Sequence, residues 1–348
     1  MDTAPGGAVL FGHAEHAAGP DDRFAGATDD ELTAQDGRTV VITGANTGVG
    51  FEAARILASC GAEVVLACRD PQRAGQARKR IESQAPGARL DTVTLDLASL
   101  ASVRSAAAEL RSRHPSVDLL VNNAGVMWAP RGQTADGFET HFGTNHLGHF
   151  ALTGLILDLL LPVAGSRVVV LSSPAHRAGD IDFGDLAYRE RYRPHAAYSR
   201  SKLANLLFAQ LLQTKLTQAH VPTIAVAAHP GGARTELNRH MPWIFRGPSW
   251  GLVRPITHPA DVGALSLVRA AVDPGVPGGA YVGPGGWQEF TGYPVVLQPS
   301  ERARDLGLAQ RLWEESEKLT GVSYDFATVP SVGDGDAEMT REQRSQRD

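Results

Sequence analysis

Tyr198 and Lys202 stand four residues apart in Tyr198-Ser-Arg-Ser-Lys202. On a helix that spacing sets the phenol and the ammonium on one face. A free phenol titrates near about 10, a poor match for proton exchange at neutral pH. A cation beside it favours the phenolate. The pair suits a proton donor to a ketone, or an acceptor from an alcohol. An ordinary helix-surface pair has the same spacing, so the pair needs company. Ser172-Ser173 closes a β-branched run and sets a hydroxyl at a strand end. Asn145 lies within Phe142-Gly-Thr-Asn-His-Leu-Gly-His149, inside a helical stretch where asparagine is a mediocre helix former. It is either a satisfied interior amide or a functional one. His146 and His149 are three apart, but no third ligand follows. They read as packing or hydrogen-bonding groups, and no metal is expected.

A second group of residues suits a dinucleotide. Thr43-Gly-Ala-Asn-Thr-Gly-Val-Gly50 lies between a β-branched run and a helical one, with Gly44, Gly48 and Gly50 in a G-x3-G-x-G spacing. Such a loop turns tightly, brings backbone close to a pyrophosphate and aims helix N–H groups at it. Thr43, Asn46, Thr47 and Val49 belong to the same expected contact surface. Cys68 stands twenty residues after Gly48, where an NAD site usually carries an acid for the ribose 2′-hydroxyl. Arg69 follows and can form charge-assisted bonds to a 2′-phosphate. NADP(H) is therefore favoured. NAD(H) remains open through Asp70, which otherwise caps the next helix ahead of Pro71. Asp96 and Leu97 after the third strand suit the adenine, Asp96 serving otherwise as a turn or cap. Asn122-Asn-Ala-Gly125, with Asn123, Ala124 and Gly125, offers small residues and side-chain amides after the fourth strand.

Positioning these groups requires a particular fold. Strand-like runs at Arg38–Thr43, Glu63–Cys68, Leu90–Leu95, Val117–Val121, Arg167–Leu171 and Thr223–Ala228 alternate with helical stretches, and Tyr281-Val282 begins a last short strand. The helical stretches are Val49–Ser59, Pro71–Gln84, Leu100–Arg113, Asp136–Leu161, about Ala197–Leu216 and Ala260–Val272. The runs lack polar alternation, as in parallel strands covered on both faces. The pattern predicts an α/β fold: one Rossmann-type doubly wound parallel sheet of about seven strands with helices on both faces. Residues 1–36 read as a flexible extension, 37–326 as the folded domain and 327–348 as a disordered tail.

Composition narrows the function classes. The 348 residues are 43% hydrophobic and 20% charged, with 33 Lys and Arg against 38 Asp and Glu. A net charge of -5 gives no basic excess for nucleic acid. Two cysteines, Cys60 and Cys68, exclude a disulfide framework. No charged start precedes an apolar stretch, and 151–165 is too short to span a bilayer. The expectation is a cytoplasmic protein without a membrane anchor.

The ordered set Thr43–Gly50, Asp96-Leu97, Asn122–Gly125, Asn145, Ser172-Ser173, Tyr198–Lys202 and Pro230-Gly231 resembles the short-chain dehydrogenase/reductase superfamily over roughly Gly37 to Leu297. Ala67–Asp70, Asn145–His149, Ser172–His176, Ser201–Asn205 and His229–Leu237 are similar to its retinol dehydrogenase and WW-domain-oxidoreductase-like branch. Thr134–Phe138 and Gly143–Phe150 also resemble light-dependent protochlorophyllide reductases, whose reactive-cysteine region has no counterpart here.

The resemblance implies that Ser173 holds a substrate carbonyl and Tyr198 donates the proton. It implies that Lys202 binds the nicotinamide ribose and lowers the tyrosine pKa, and that Asn145 fixes a water in a relay to Lys202. Pro230, Gly231 and Thr235 would help hold the nicotinamide. Pro174 departs from the pattern by removing an N–H beside Ser173. A homodimer or homotetramer is common in such a family. A lid is expected after the sixth strand, at about 234–258, with Leu237, Met241, Trp243, Ile244, Phe245 and Trp250. Those side chains suit a bulky apolar carbonyl or alcohol, or simply pack the lid onto the domain. The stretch His176–His195, with Tyr188 and Tyr192, is the expected opposite wall. A non-catalytic dinucleotide-binding protein and a carbon–carbon double-bond reductase are the alternatives.

Overall fold

The computed structural model describes residues 34–232 and 258–327. The sheet is built from β1 (Thr39–Thr43), β2 (Glu63–Cys68), β3 (Arg89–Thr94), β4 (Leu119–Asn122), β5 (Arg167–Leu171), β6 (Ile224–Ala228), β7 (Tyr281–Pro284) and β8 (Pro294–Leu297). Their order is β3-β2-β1-β4-β5-β6-β7-β8. The first seven run parallel and β8 pairs antiparallel with β7. The sequence reading of about seven parallel strands missed β8. Four residues that begin at Pro294, between Gly292 and Pro299, carry too little periodicity to announce an edge strand.

Alternate strand residues enter opposite cores, as pleating requires. Val41, Val65, Leu120 and Val168 face one layer; Val40, Ile42, Val64, Leu66 and Val169 face the other. The second layer holds α1 (Gly48–Ser59), α2 (Pro71–Gln84) and α7 (Ala260–Val272). The first holds α3 (Leu100–Arg113), α4 (Gly148–Leu155), α5 (Leu157–Leu160), α6 (Pro194–Gln218) and α8 (Leu306–Thr320). α6 has buried residues all round, which fits its place between the sheet and α8.

The expected helix over 136–161 is broken up. Gln133 and Glu139 form an antiparallel bridge, Phe142–Leu147 is a π-helical turn, and α4 and α5 part at Ile156. The segment packs closely against its neighbours where two glycines stand. A Cβ on Gly143 would lie 2.4 Å from Thr134 Cγ2, and one on Gly148 2.5 Å from the Leu97 carbonyl oxygen.

Gln35, placed by sequence in the extension, is buried and donates its N–H to the Cys60 carbonyl. Nearly all of the expected lid, including Thr235 and its six apolar residues, lies outside the described residues. Among the described residues, no helix is long and apolar enough to cross a membrane.

Candidate active site

Strand order reverses between β1 and β4, so the crossovers lead to opposite sides of the sheet. A crevice opens at the carboxyl ends of strands flanking such a point. Here it is a cavity of about 1360 Å³. One end is lined by Gly44–Gly50, Arg69, Asp96, Leu97 and Asn123–Gly125, the other by Ser173, Tyr198, Lys202, Pro230 and Gly231. Most of the residues selected from sequence therefore converge; Thr43 and Asn145 are not among those that line the cavity, and Thr235 lies outside the described residues.

The glycine loop has the form a pyrophosphate needs. Gly44 and Gly48 have φ of 68° and 60°, the left-handed region. A Cβ on Gly50 would lie 2.3 Å from Asn123 Nδ2 and 2.7 Å from the Gly44 carbonyl oxygen. Thr47 precedes α1 but makes no side-chain capping bond. The first N–H groups of that helix are thus left to whatever enters the cleft. Thr43 ties the loop to the turn after β4. Its Oγ accepts the N–H groups of Asn123 and Ala124 at 2.9 Å each, and Asn123 Nδ2 donates to the Thr43 carbonyl at 2.8 Å.

At the second strand end, Asp70 Oδ1 accepts N–H groups from Gln72 and Arg73, capping α2 ahead of Pro71. Arg69 lines the cavity and is exposed. Asp96 Oδ1 accepts the Ala98 N–H, and Leu97 is buried against Gly148.

Tyr198 and Lys202 lie near the start of α6 and both are buried. Lys202 Nζ sits 5.7 Å from the Tyr198 ring centre and donates to the Leu171 carbonyl at 3.1 Å. Burial pushes the Lys202 ammonium down to about 7 and the Tyr198 phenol up to about 12, the Ser173 side chain acting in the lowering direction on the phenol. The sequence reading had the lysine lowering the phenol; the causes acting on it here are burial, which raises it, and the Ser173 hydrogen bond, which lowers it. Ser173 caps the short turn Pro174–Ala178 by accepting the Ala175 N–H at 3.2 Å. Pro174 takes the first position of that turn, where a missing N–H costs little.

Asn145 sits in the π-helical turn, and both ends of its amide are hydrogen-bonded. Oδ1 accepts the Val126 N–H at 2.8 Å; Nδ2 donates to the Val126 carbonyl at 3.0 Å and to Ser201 Oγ at 2.9 Å. Its backbone carbonyl accepts from His149 Nδ1 at 2.9 Å. That fixes the His149 proton on Nδ1, so Nε2 accepts from the Thr43 hydroxyl at 2.9 Å. His146 Nε2 meets Ser316 Oγ at 2.9 Å within a buried aromatic cluster. Among the described residues no group of three or more His, Cys, Asp or Glu side chains could hold a metal ion.

Arg177, Ala178 and His195, from the stretch expected as the opposite wall, do line the cavity, whereas Met127, Trp128, Glu289 and Phe290 line it without a sequence signal. Arg177 and Glu289 form an ion pair at 2.5 Å between the turn after β5 and the β7–β8 loop. Tyr192, expected as a cleft wall, instead bonds the Ala129 carbonyl from behind.

Comparison with known proteins gives a consistent result. A family model described as short chain dehydrogenase matches residues 38–242. The chain is 42% identical over 308 residues to retinol dehydrogenase 13 of Homo sapiens, covering 85% of this chain and 87% of that one. It is 41% identical over 294 residues to polyprenol dehydrogenase of Mus musculus, covering 83% and 86% respectively. A crystal structure of an uncharacterized protein from Mycobacterium paratuberculosis superposes with a TM-score of 0.72 at 41% identity, covering 86% of this chain and 98% of that one.

Proposed function

The chain belongs to the short chain dehydrogenase family, and from that premise we propose an NADP-dependent oxidoreductase that interconverts a carbonyl and an alcohol on a bulky apolar small molecule. The observation that carries this reading is the shared cleft: Ser173, Tyr198 and Lys202 lie at one end, and the uncapped, glycine-lined start of α1 at the other. The residues fit a dinucleotide. A Cβ would fill the space at Gly50, and the first N–H groups of α1 suit a pyrophosphate. Asp70 is tied to the start of α2, while Arg69 lines the cleft, which supports a 2′-phosphate over a bare ribose. The names of the relatives, dehydrogenases of retinol and polyprenol, support a large apolar substrate.

Bound nicotinamide supplies or accepts the hydride. The chain's own groups handle the oxygen. Ser173 Oγ and Tyr198 Oη hold the carbonyl oxygen, and the phenol donates its proton as negative charge grows there. Burial keeps that phenol protonated until needed. The Lys202 ammonium, with few alternatives to the Leu171 carbonyl, stabilises the phenolate left behind. Asn145 is proposed to support reprotonation through a water, its side chain holding the turn at Val126 and its backbone carbonyl already accepting from His149 Nδ1.

The test is NADPH oxidation by the purified protein against apolar aldehydes and ketones, retinaldehyde included, followed by loss of reduced-nicotinamide absorbance. Turnover is expected, with Tyr198→Phe lowering it by about 100- to 10,000-fold. A Tyr198→Phe protein with full turnover would sink the mechanism. NADPH binding with no turnover on any carbonyl would sink the activity.

A further inference from the structure

Trp128 lines the cleft and has a φ of 52°. A bulky side chain seldom adopts that left-handed conformation, and it persists only where the surroundings over-determine it. Here both flanks are pinned. On one side the Asn145 amide holds Val126 twice, at N–H and at carbonyl. On the other side the Ala129 peptide is held from two directions: its N–H donates to His141 Nε2 at 3.1 Å, and its carbonyl accepts from the Tyr192 hydroxyl at 2.8 Å.

The second clamp is itself anchored. His141 Nε2 is an acceptor, so Nδ1 carries the proton and donates to Glu139 Oε1 at 2.8 Å. The two Glu139 oxygens also accept the N–H groups of His141 and Phe142. Both side chains are buried, at 2% and 0% exposure. Burial alone would raise the Glu139 carboxyl, but the bonds from His141 and Phe142 hold it below the usual range. The His141 ring also meets the Tyr198 ring edge-on, 6.3 Å between centres, so the clamp lies directly behind the proton donor.

A wall whose backbone is fixed before ligand arrives loses less freedom on binding. An indole in such a wall offers a flat π face to a flat ligand. We propose that Trp128 is the specificity-determining residue of the cleft, a rigid aromatic wall that selects flat, conjugated carbonyl compounds over flexible saturated ones of the same skeleton. Asn145 and the Glu139–His141–Tyr192 network act on it as positioning residues. The proposal rests on the carbonyl–alcohol reading above.

The test compares chalcone with dihydrochalcone, which differ by one carbon–carbon double bond. Calorimetry on the full chain saturated with NADP gives an affinity ratio that needs no turnover. The wild type is expected to favour chalcone by about 3- to 10-fold. Trp128→Gly, which suits the positive φ, should bring the ratio within about twofold of unity with NADP affinity unchanged. Trp128→Phe should keep most of the preference. Tyr192→Phe, which frees one side of the Ala129 peptide and leaves the indole in place, should lower it partway. A wild type without preference, or a preference that survives Trp128→Gly, overturns the proposal. Should Trp128→Gly not fold, an unchanged ratio in Tyr192→Phe overturns the clamp. The expected ratio without NADPH oxidation on either ketone would remove the proposed activity and leave the aromatic wall standing.

Discussion

Replacing Thr43 by valine keeps the shape of the side chain and removes one hydroxyl. The structure shows what that hydroxyl holds. Its oxygen accepts the Ala124 N–H at 2.9 Å and shares the Asn123 N–H with the Val121 carbonyl; its proton goes to His149 Nε2. Thr43 is fully buried, so water does not readily replace it. An orphaned buried donor costs about 1–3 kcal/mol, and here the imidazole nitrogen loses its partner as well. Thr43→Val should therefore lower stability by about 3 kcal/mol, with no cavity contribution. At a denaturant dependence of about 3 kcal/mol per molar, the urea midpoint falls by about 1 M. Thr43→Ser keeps the hydroxyl and loses one methyl, about 1 kcal/mol. Urea unfolding of the three proteins, with NADP affinity in parallel, decides the matter. A Thr43→Val loss under about 0.5 kcal/mol, or a serine variant as damaged as the valine one, would refute the reasoning.

Three further outcomes follow from the same geometry. The folded pKa of Lys202, about 7, lies below its unfolded value of 10.5, so burying the ammonium costs most below pH 7 and the cost fades as pH rises toward 10.5. Wild type should thus gain about 2 kcal/mol on Lys202→Met between pH 7 and about pH 9, measured by unfolding without cofactor, and a constant difference would contradict it. Arg69→Ala should weaken NADPH binding by about 10- to 100-fold and leave NADH within about twofold, read by fluorescence titration; equal losses for both would remove the 2′-phosphate role. Gly50→Ala should lose NADP binding, because its Cβ would press on Asn123 Nδ2, whereas Gly75→Ala in α2, with open space around it, should stabilise by about 0.5–1 kcal/mol. Thermal unfolding and cofactor titration of the two variants check both signs.

The chain's own order made much of the fold and the site legible. Unbroken apolar runs such as Val64-Val65-Leu66 announce strands covered on both faces, because no polar alternation means no wet face. The glycine loop, Asn123 and Ser173 are found by looking just past each such run, since a parallel sheet gathers its carboxyl ends at one edge, and Tyr198 and Lys202 by their four-residue spacing on a helix. Local rules also located the start of α2, where Asp70 and Pro71 supply a cap and a first position.

What depended on long-range packing was not legible. Helical periodicity across 136–161 concealed a bridge, a π-helical turn and a break; the close approach of Thr134 to Gly143 and of Leu97 to Gly148 is likewise a feature of packing that periodicity does not report. The direction of the Tyr198 shift could not be read from its spacing to Lys202, because desolvation is a property of everything packed around the phenol. Trp128 gave no signal at all. Its conformation is set by Asn145, His141 and Tyr192, which reach it from separate parts of the chain. Sequence by itself determined which residues line up at strand ends, since periodicity and turn chemistry act over a few residues. Only the tertiary structure decided how those residues are charged, held and walled, since burial and hydrogen bonding join groups tens of residues apart.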